Sequence, residues 1–103
     1  MNLHRMLAQR AEQGKPVGVG LIGAGKFGTM FLTQARLTTG LKVVGIADLA
    51  PANAIASCKR AGWPDGEAVI GDLTAAARNK PTTVGDSADA LIANADVEVI
   101  IDV

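Results

Sequence analysis

Apolar and polar positions along the chain follow two alternating periods. Leu3, Met6, Leu7 and Ala11 recur at spacings of three and four, while His4, Arg5, Gln9, Arg10 and Glu12 fall largely elsewhere, predicting an amphipathic helix over residues 2–13. Gly14, Lys15 and Pro16 end it. Residues 17–22 form a charge-free apolar run of strand length, as expected for a central parallel strand covered on both faces. Phe27, Phe31, Gln34 with Ala35, and Thr38 mark one side of a helix over residues 26–37, which Gly40 stops. Residues 42–47 are rich in valine and isoleucine and give a second strand. Pro51 suits a first helical position, residues 52–61 are good helix formers, and Gly62 followed by Trp63 and Pro64 closes that helix.

Residues 65–80 carry the weakest pattern, with a short helix over 73–79 expected behind Asp72. Residues 82–84 suit a short strand. Asp86 can cap a helix over 87–93, with Asp89 three residues on, where a capping box places its acid. Residues 98–103 return to a buried strand. Strands alternating with helices predict a doubly wound α/β parallel sheet with spatial order 3-2-1-4. Residues 1–15 then form an N-terminal helix and residues 16–103 the sheet domain.

Composition narrows the function classes. A chain of 103 residues is one domain, short for a complete two-domain dehydrogenase. Ten basic and ten acidic side chains cancel, and neither sign gathers in a block, which argues against nucleic acid or a membrane surface as partner. No apolar run approaches the roughly 20 residues that span a bilayer. The first residues are charged and include Glu12, unlike a secretory or transit signal. The single cysteine, Cys58, cannot form an internal disulfide, so a cytoplasmic location is the default expectation. His4 and Cys58 make no zinc set, and without tyrosine there is no tyrosine–lysine proton-transfer pair.

The chemistry concentrates where the first strand ends. Gly23, Ala24, Gly25, Lys26, Phe27 and Gly28 form a glycine turn between strand and helix. Gly23 permits the tight turn, Gly25 leaves room for a pyrophosphate against the backbone, and Gly28 lets the helix lie close to the sheet. The helix start offers unpaired N–H groups and the positive end of its dipole to the anion. Asp48 ends the second apolar run, twenty residues after Gly28 (48 − 28), where a carboxylate accepts hydrogen bonds from an adenosine ribose. Its plainer reading is a cap or loop acid ahead of Pro51. Together these features describe a partial Rossmann-type sheet binding NAD(P)(H). Leu49 and Ala50 bring no base beside Asp48, and a 2′-phosphate about 4 Å away would meet roughly 4 kcal/mol of repulsion per unit charge, a lean toward NAD that does not exclude NADP. Lys26 reads as a solvated first-turn lysine, and Lys59 and Arg60 as a solvated helix face. Cys58 reads as a small helix residue, Trp63 as packing beside Pro64, and Asp96, Glu98 and Asp102 as loop or interface acids. A nucleotide-sensing module without catalysis, and S-adenosylmethionine binding, are the alternatives to a dehydrogenase.

The opening Met-Asn-Leu-His-Arg-Met-Leu-Ala-Gln-Arg, the turn Gly-Leu-Ile-Gly-Ala-Gly-Lys-Phe-Gly-Thr-Met-Phe at 20–31 and Val-Val-Gly-Ile-Ala-Asp at 43–48 resemble the homoserine dehydrogenase-like oxidoreductases. Within that group the likeness is to proteins with a C-terminal SAF domain, some similar to alternative 1-deoxy-D-xylulose 5-phosphate reductoisomerases. The resemblance implies an amino-terminal cofactor domain of a larger reductase, transferring hydride to or from a small carbonyl or hydroxyl substrate. It brings Gly23, Gly25, Lys26, Phe27, Gly28 and Asp48 into the nucleotide site, and its reductoisomerase-like members use NADPH, leaving NAD and NADP both open. It further implies that the substrate site, the catalytic acid or base and most oligomer contacts lie in a domain beyond Val103.

Overall fold

The computed structural model describes residues 3–23 and 29–102, without the side chains of Leu3 and Thr29. Its elements are α1 (Leu3–Glu12), β1 (Val17–Ile22), α2 (Thr29–Leu37), β2 (Leu41–Ala47), α3 (Pro51–Arg60), β3 (Ala68–Ile70), a 3₁₀ turn (Leu73–Ala75), β4 (Thr82–Gly85), α4 (Ala88–Ala93) and β5 (Val99–Asp102). Five strands pair in parallel in the order β3-β4-β2-β1-β5, a Rossmann-like α/β arrangement. The four expected strands stand in the expected order. The expectation of 3-2-1-4 needs one correction, because β3 adds a fifth strand outside β4. Its three residues are apolar but mostly exposed, a run too short to show a period; hydrogen bonds from Thr82 N to Glu67 O (2.8 Å) and Gly71 N to Val84 O (3.0 Å) bracket it against β4.

The two sheet faces are built differently from the same strand. Val17, Val19 and Leu21 project to the side of α1, α2 and α3, joining Leu7, Leu32, Val43, Ile46, Cys58 and Trp63 in the larger core cluster. Leu21, Leu32 and Ile46 are completely buried there. Gly18, Gly20 and Ile22 alternate to the other side, where Leu73 and Leu91 pack with Ala47, Val97 and Ile100. A Cβ on Gly20 would lie 3.0 Å from Leu91 Cγ, and one on Gly45 2.8 Å from Leu91 Cδ1. Glycine at these paired positions lets α4 sink toward the sheet. Between Val19 and Gly20 the pairing slips by one residue, since Val19 opposes Val43 and Gly20 opposes Gly45. Val44 is the extra residue of a bulge, and its Cγ2 would meet a Cβ on Gly18 on the same face as Gly45.

Several local expectations change. Helix 73–79 is only the 3₁₀ turn Leu73–Ala75: Asp72 caps it through Thr74 N as foreseen, but Ala76 turns extended at ψ 144°. Asn94 Nδ2 then donates to both Leu73 O (2.9 Å) and Ala76 O (2.8 Å), taking the carbonyls a longer helix would use. Asp86 is not the cap of α4. Ser87 is, its Oγ accepting from Ala90 N at 3.1 Å, with Asp89 in the first turn. The inward residues of α2 are Leu32 and Ala35, with Phe31 at the flank and Gln34 exposed. Helix α3 begins on Pro51 as expected.

Helix α1 docks beneath the amino ends of β1 and β2. Gly40 is buried at φ +83°, and a Cβ there would stand 1.9 Å from Leu7 O. No helix among the described residues is long and apolar enough to cross a membrane.

Candidate functional site

Parallel pairing aligns the carboxyl ends of four strands. Ile22 pairs with Ala47 on one side and Asp102 on the other, and Ala47 pairs with Gly85. The chain leaves this row at Gly23, Asp48 and Asp86. Neighbouring strands lie about 4.8 Å apart, so the three departures are close neighbours along one edge. The chain order reverses at β1: β2 and β4 lie on one side of it, and β5, reached through α4, on the other. Open α/β sheets bind ligands outside the strand carboxyl ends at such a reversal.

Gly23 takes φ +82°, a conformation that L side chains rarely adopt, so the first glycine of the turn is required by the backbone. Its N–H donates to Ala47 O at 2.9 Å, which extends the β1–β2 ladder into the turn. Asp48 N donates to Gly85 O at 2.9 Å, carrying the β2–β4 ladder one residue past the strand. Both residues are held by backbone bonds in the act of leaving the sheet. Ala24, Gly25, Lys26, Phe27 and Gly28 lie outside the described residues, as does the expected helix start at 26.

The Asp48 side chain is partly buried, and its Oδ1 accepts from Ala50 N at 2.9 Å. This is an Asx-type turn leading into α3, whose N-cap Ala50 has no capping side chain. The plain reading of Asp48 as an acid organising the chain ahead of Pro51 therefore holds. A carboxylate offers about four acceptor positions, so that bond orients the group without exhausting it. Leu49 projects almost fully into solvent beside it, at 96% exposure. Asp86 and Asp102 are also exposed along this edge. Asp72, at the end of β3, is held below the usual carboxylate range by the hydroxyl and then the backbone N–H of Thr74.

The remaining singled-out residues have structural partners. Cys58 is 1% exposed and its thiol is pushed up to about 11 by burial, the state of an inert core sulfur. Trp63 is buried, and its Nε1 donates to Leu32 O at 3.1 Å. Lys59 reaches Asp65 at 3.7 Å on the surface, and Arg60 donates to Ser57 Oγ at 3.0 Å. Asp96 and Glu98 do more than meet solvent: both bind Arg78, and Glu98 also binds Arg10. The pairing escapes a sequence reading because the partners are 18 to 88 residues apart. Among the described residues no cluster of histidine, cysteine or acids could hold a metal ion. No protein-family model matches the chain, and no curated protein matches it.

Proposed function

We propose that this chain is the NAD(P)(H)-holding part of an oxidoreductase that moves hydride to or from a small carbonyl or hydroxyl substrate. The observation that carries the reading is the alignment of Gly23 and Asp48 one residue past paired strands at the chain reversal. A left-handed glycine and an acid in these two places suit a pyrophosphate turn and a ribose contact. Gly23, Gly25 and Gly28 would hold the pyrophosphate and Asp48 the adenosine ribose. The bound cofactor supplies the hydride, and this chain supplies orientation and charge. The exposed acids Asp86 and Asp102 on the same edge add to the preference for a ribose hydroxyl over a 2′-phosphate, so NAD(H) is the favoured form.

Calorimetric titration of the folded chain with NADH, NADPH and S-adenosylmethionine tests the proposal. NADH is expected to bind most tightly. Failure of both nicotinamide cofactors to bind would overturn it, and binding of S-adenosylmethionine alone would reassign the pocket.

A further inference from the structure

A concave pocket lies at the opposite end of the sheet. It encloses about 400 Å³ beside the amino ends of β2, β3 and β4, with Arg36, Lys42, Trp63, Glu67, Lys80 and Thr82 among its lining residues. Asp48 follows Lys42 by six residues, one past the end of β2, which at about 3.3 Å per residue sets this cavity roughly 20 Å from the Gly23 edge. A volume of this size suits a small molecule better than a peptide segment.

Its charges do not balance. Glu67 is engaged through both oxygens by Arg36, Nε to Oε2 at 2.6 Å and Nη2 to Oε1 at 3.1 Å. Arg78, also at the rim, is neutralised by Asp96 and Glu98. Lys80 donates to a neutral acceptor, Ala75 O, at 3.1 Å. Lys42 is partly buried, yet its ammonium has no hydrogen-bond or ion-pair partner among the described residues and feels Glu67 only at longer range. Burial lowers its pKa, the opposite of what a paired lysine shows. Two cations, Lys42 and Lys80, thus line a concave space whose acid, Glu67, is already engaged by Arg36.

We infer that this cavity binds a small oxyanion, the phosphate or carboxylate group of a metabolite, with Lys42 as its principal counter-charge. The site is separate from the dinucleotide edge and can be filled at the same time. Trp63 lines it and is the chain's only tryptophan, so tryptophan fluorescence places its probe at this wall.

The test titrates the whole chain with inorganic phosphate and, in a second arm, with succinate, each at ionic strength matched by sodium chloride. A saturable change in Trp63 emission with a midpoint of about 1 mM or tighter is expected. The stronger arm assigns the ligand to phosphate or to carboxylate, and either supports the site. Lys42→Met should weaken the response about tenfold or more, Lys42→Arg should restore part of it, and Lys59→Met, outside the cavity, should leave it unchanged. Should Lys42→Met fail to fold, the NMR titration of the Lys42 ammonium in the unaltered chain decides: bound phosphate must raise its midpoint. Absence of a saturable response, or an unchanged midpoint in folded Lys42→Met, would overturn the inference, the latter because the anion then binds elsewhere.

Discussion

Arg10 and Glu98 meet fork to fork across 88 residues of sequence, Nη2 to Oε1 at 2.5 Å and Nη1 to Oε2 at 3.1 Å. The pair fastens α1 to the segment entering β5. Arg78 shares the same carboxylate, Nη1 to Oε1 at 3.3 Å, and also reaches Pro16 O at 3.4 Å. Hydrogen bonding from Arg10, ahead of the charges of Arg10 and Arg78, holds Glu98 below the ordinary carboxylate range. A carboxyl group depressed in the folded state stabilises fully above its unfolded value, near pH 4, and loses that contribution as pH falls through the lower folded value. Glu98→Gln should therefore be less stable than the parent at pH 7, with the two converging below about pH 4. Denaturant melts at both pH values measure this; an equal gap at both would show that the carboxylate charge is not the cause.

Gly40 should tolerate no side chain. A Cβ would strike Leu7 O and would also sit at φ +83°, whereas Gly62 has φ +90° with nothing within 4 Å. Gly62→Ala then bears only backbone strain, about 1–2 kcal/mol. Gly40→Ala bears that strain and must also displace α1, so its loss should exceed that of Gly62→Ala by 1 kcal/mol or more, about the scale of overpacking. Paired urea melts read the difference.

Cys58 should be nearly inert in the folded chain. Raising a thiol from its ordinary 9.0 to about 11 cuts the thiolate fraction by about a hundredfold at neutral pH, before the shielding of a 1% exposed side chain is counted. Labelling with a disulfide reagent is expected to follow the rate of opening or unfolding. Rapid labelling under native conditions would contradict the burial described.

Asp48→Ala carries the cofactor preference. If its carboxylate binds a ribose, NADH affinity should fall by about tenfold to a hundredfold, a hydrogen bond to a charged group being worth about 1.5–3 kcal/mol, while NADPH should lose less or gain. The variant also removes the bond to Ala50 N, so circular dichroism must first show α3 intact. Equal losses for the two cofactors would leave Asp48 with its structural role only.

The parts of this molecule that could be read in advance are those written locally. β1 declares itself as a charge-free run and β2 by its valine and isoleucine after Lys42, and Pro51 marks the start of α3. β3 could not be read, because Ala68, Val69 and Ile70 are ordered by pairing with β4 rather than by burial. The helix expected over 73–79 failed for a similar reason: the group that ends it, the Asn94 amide, arrives from beyond β4. Asp86 and Ser87 are both good caps, and only backbone geometry distinguishes them. At the candidate site the residue types were legible in Gly23 and Asp48, but not that Asp48 would spend one oxygen on its own turn. The Lys42 cavity had no signature, since its walls come from α2, β2, β4 and the segments preceding β3 and β4.

The bulge at Val44 acts as a vernier between two strands. Without it Gly20 would oppose Val44, whose branched side chain has no room beneath Leu91, and every later residue of β2 would sit one step further along β1, with Ile46 opposite Ile22. The extra residue brings glycine opposite glycine and lets Ile22 and Ala47 finish level. Thus the phase in which Gly23 and Asp48 emerge is chosen in the middle of the sheet, by a single residue that touches neither.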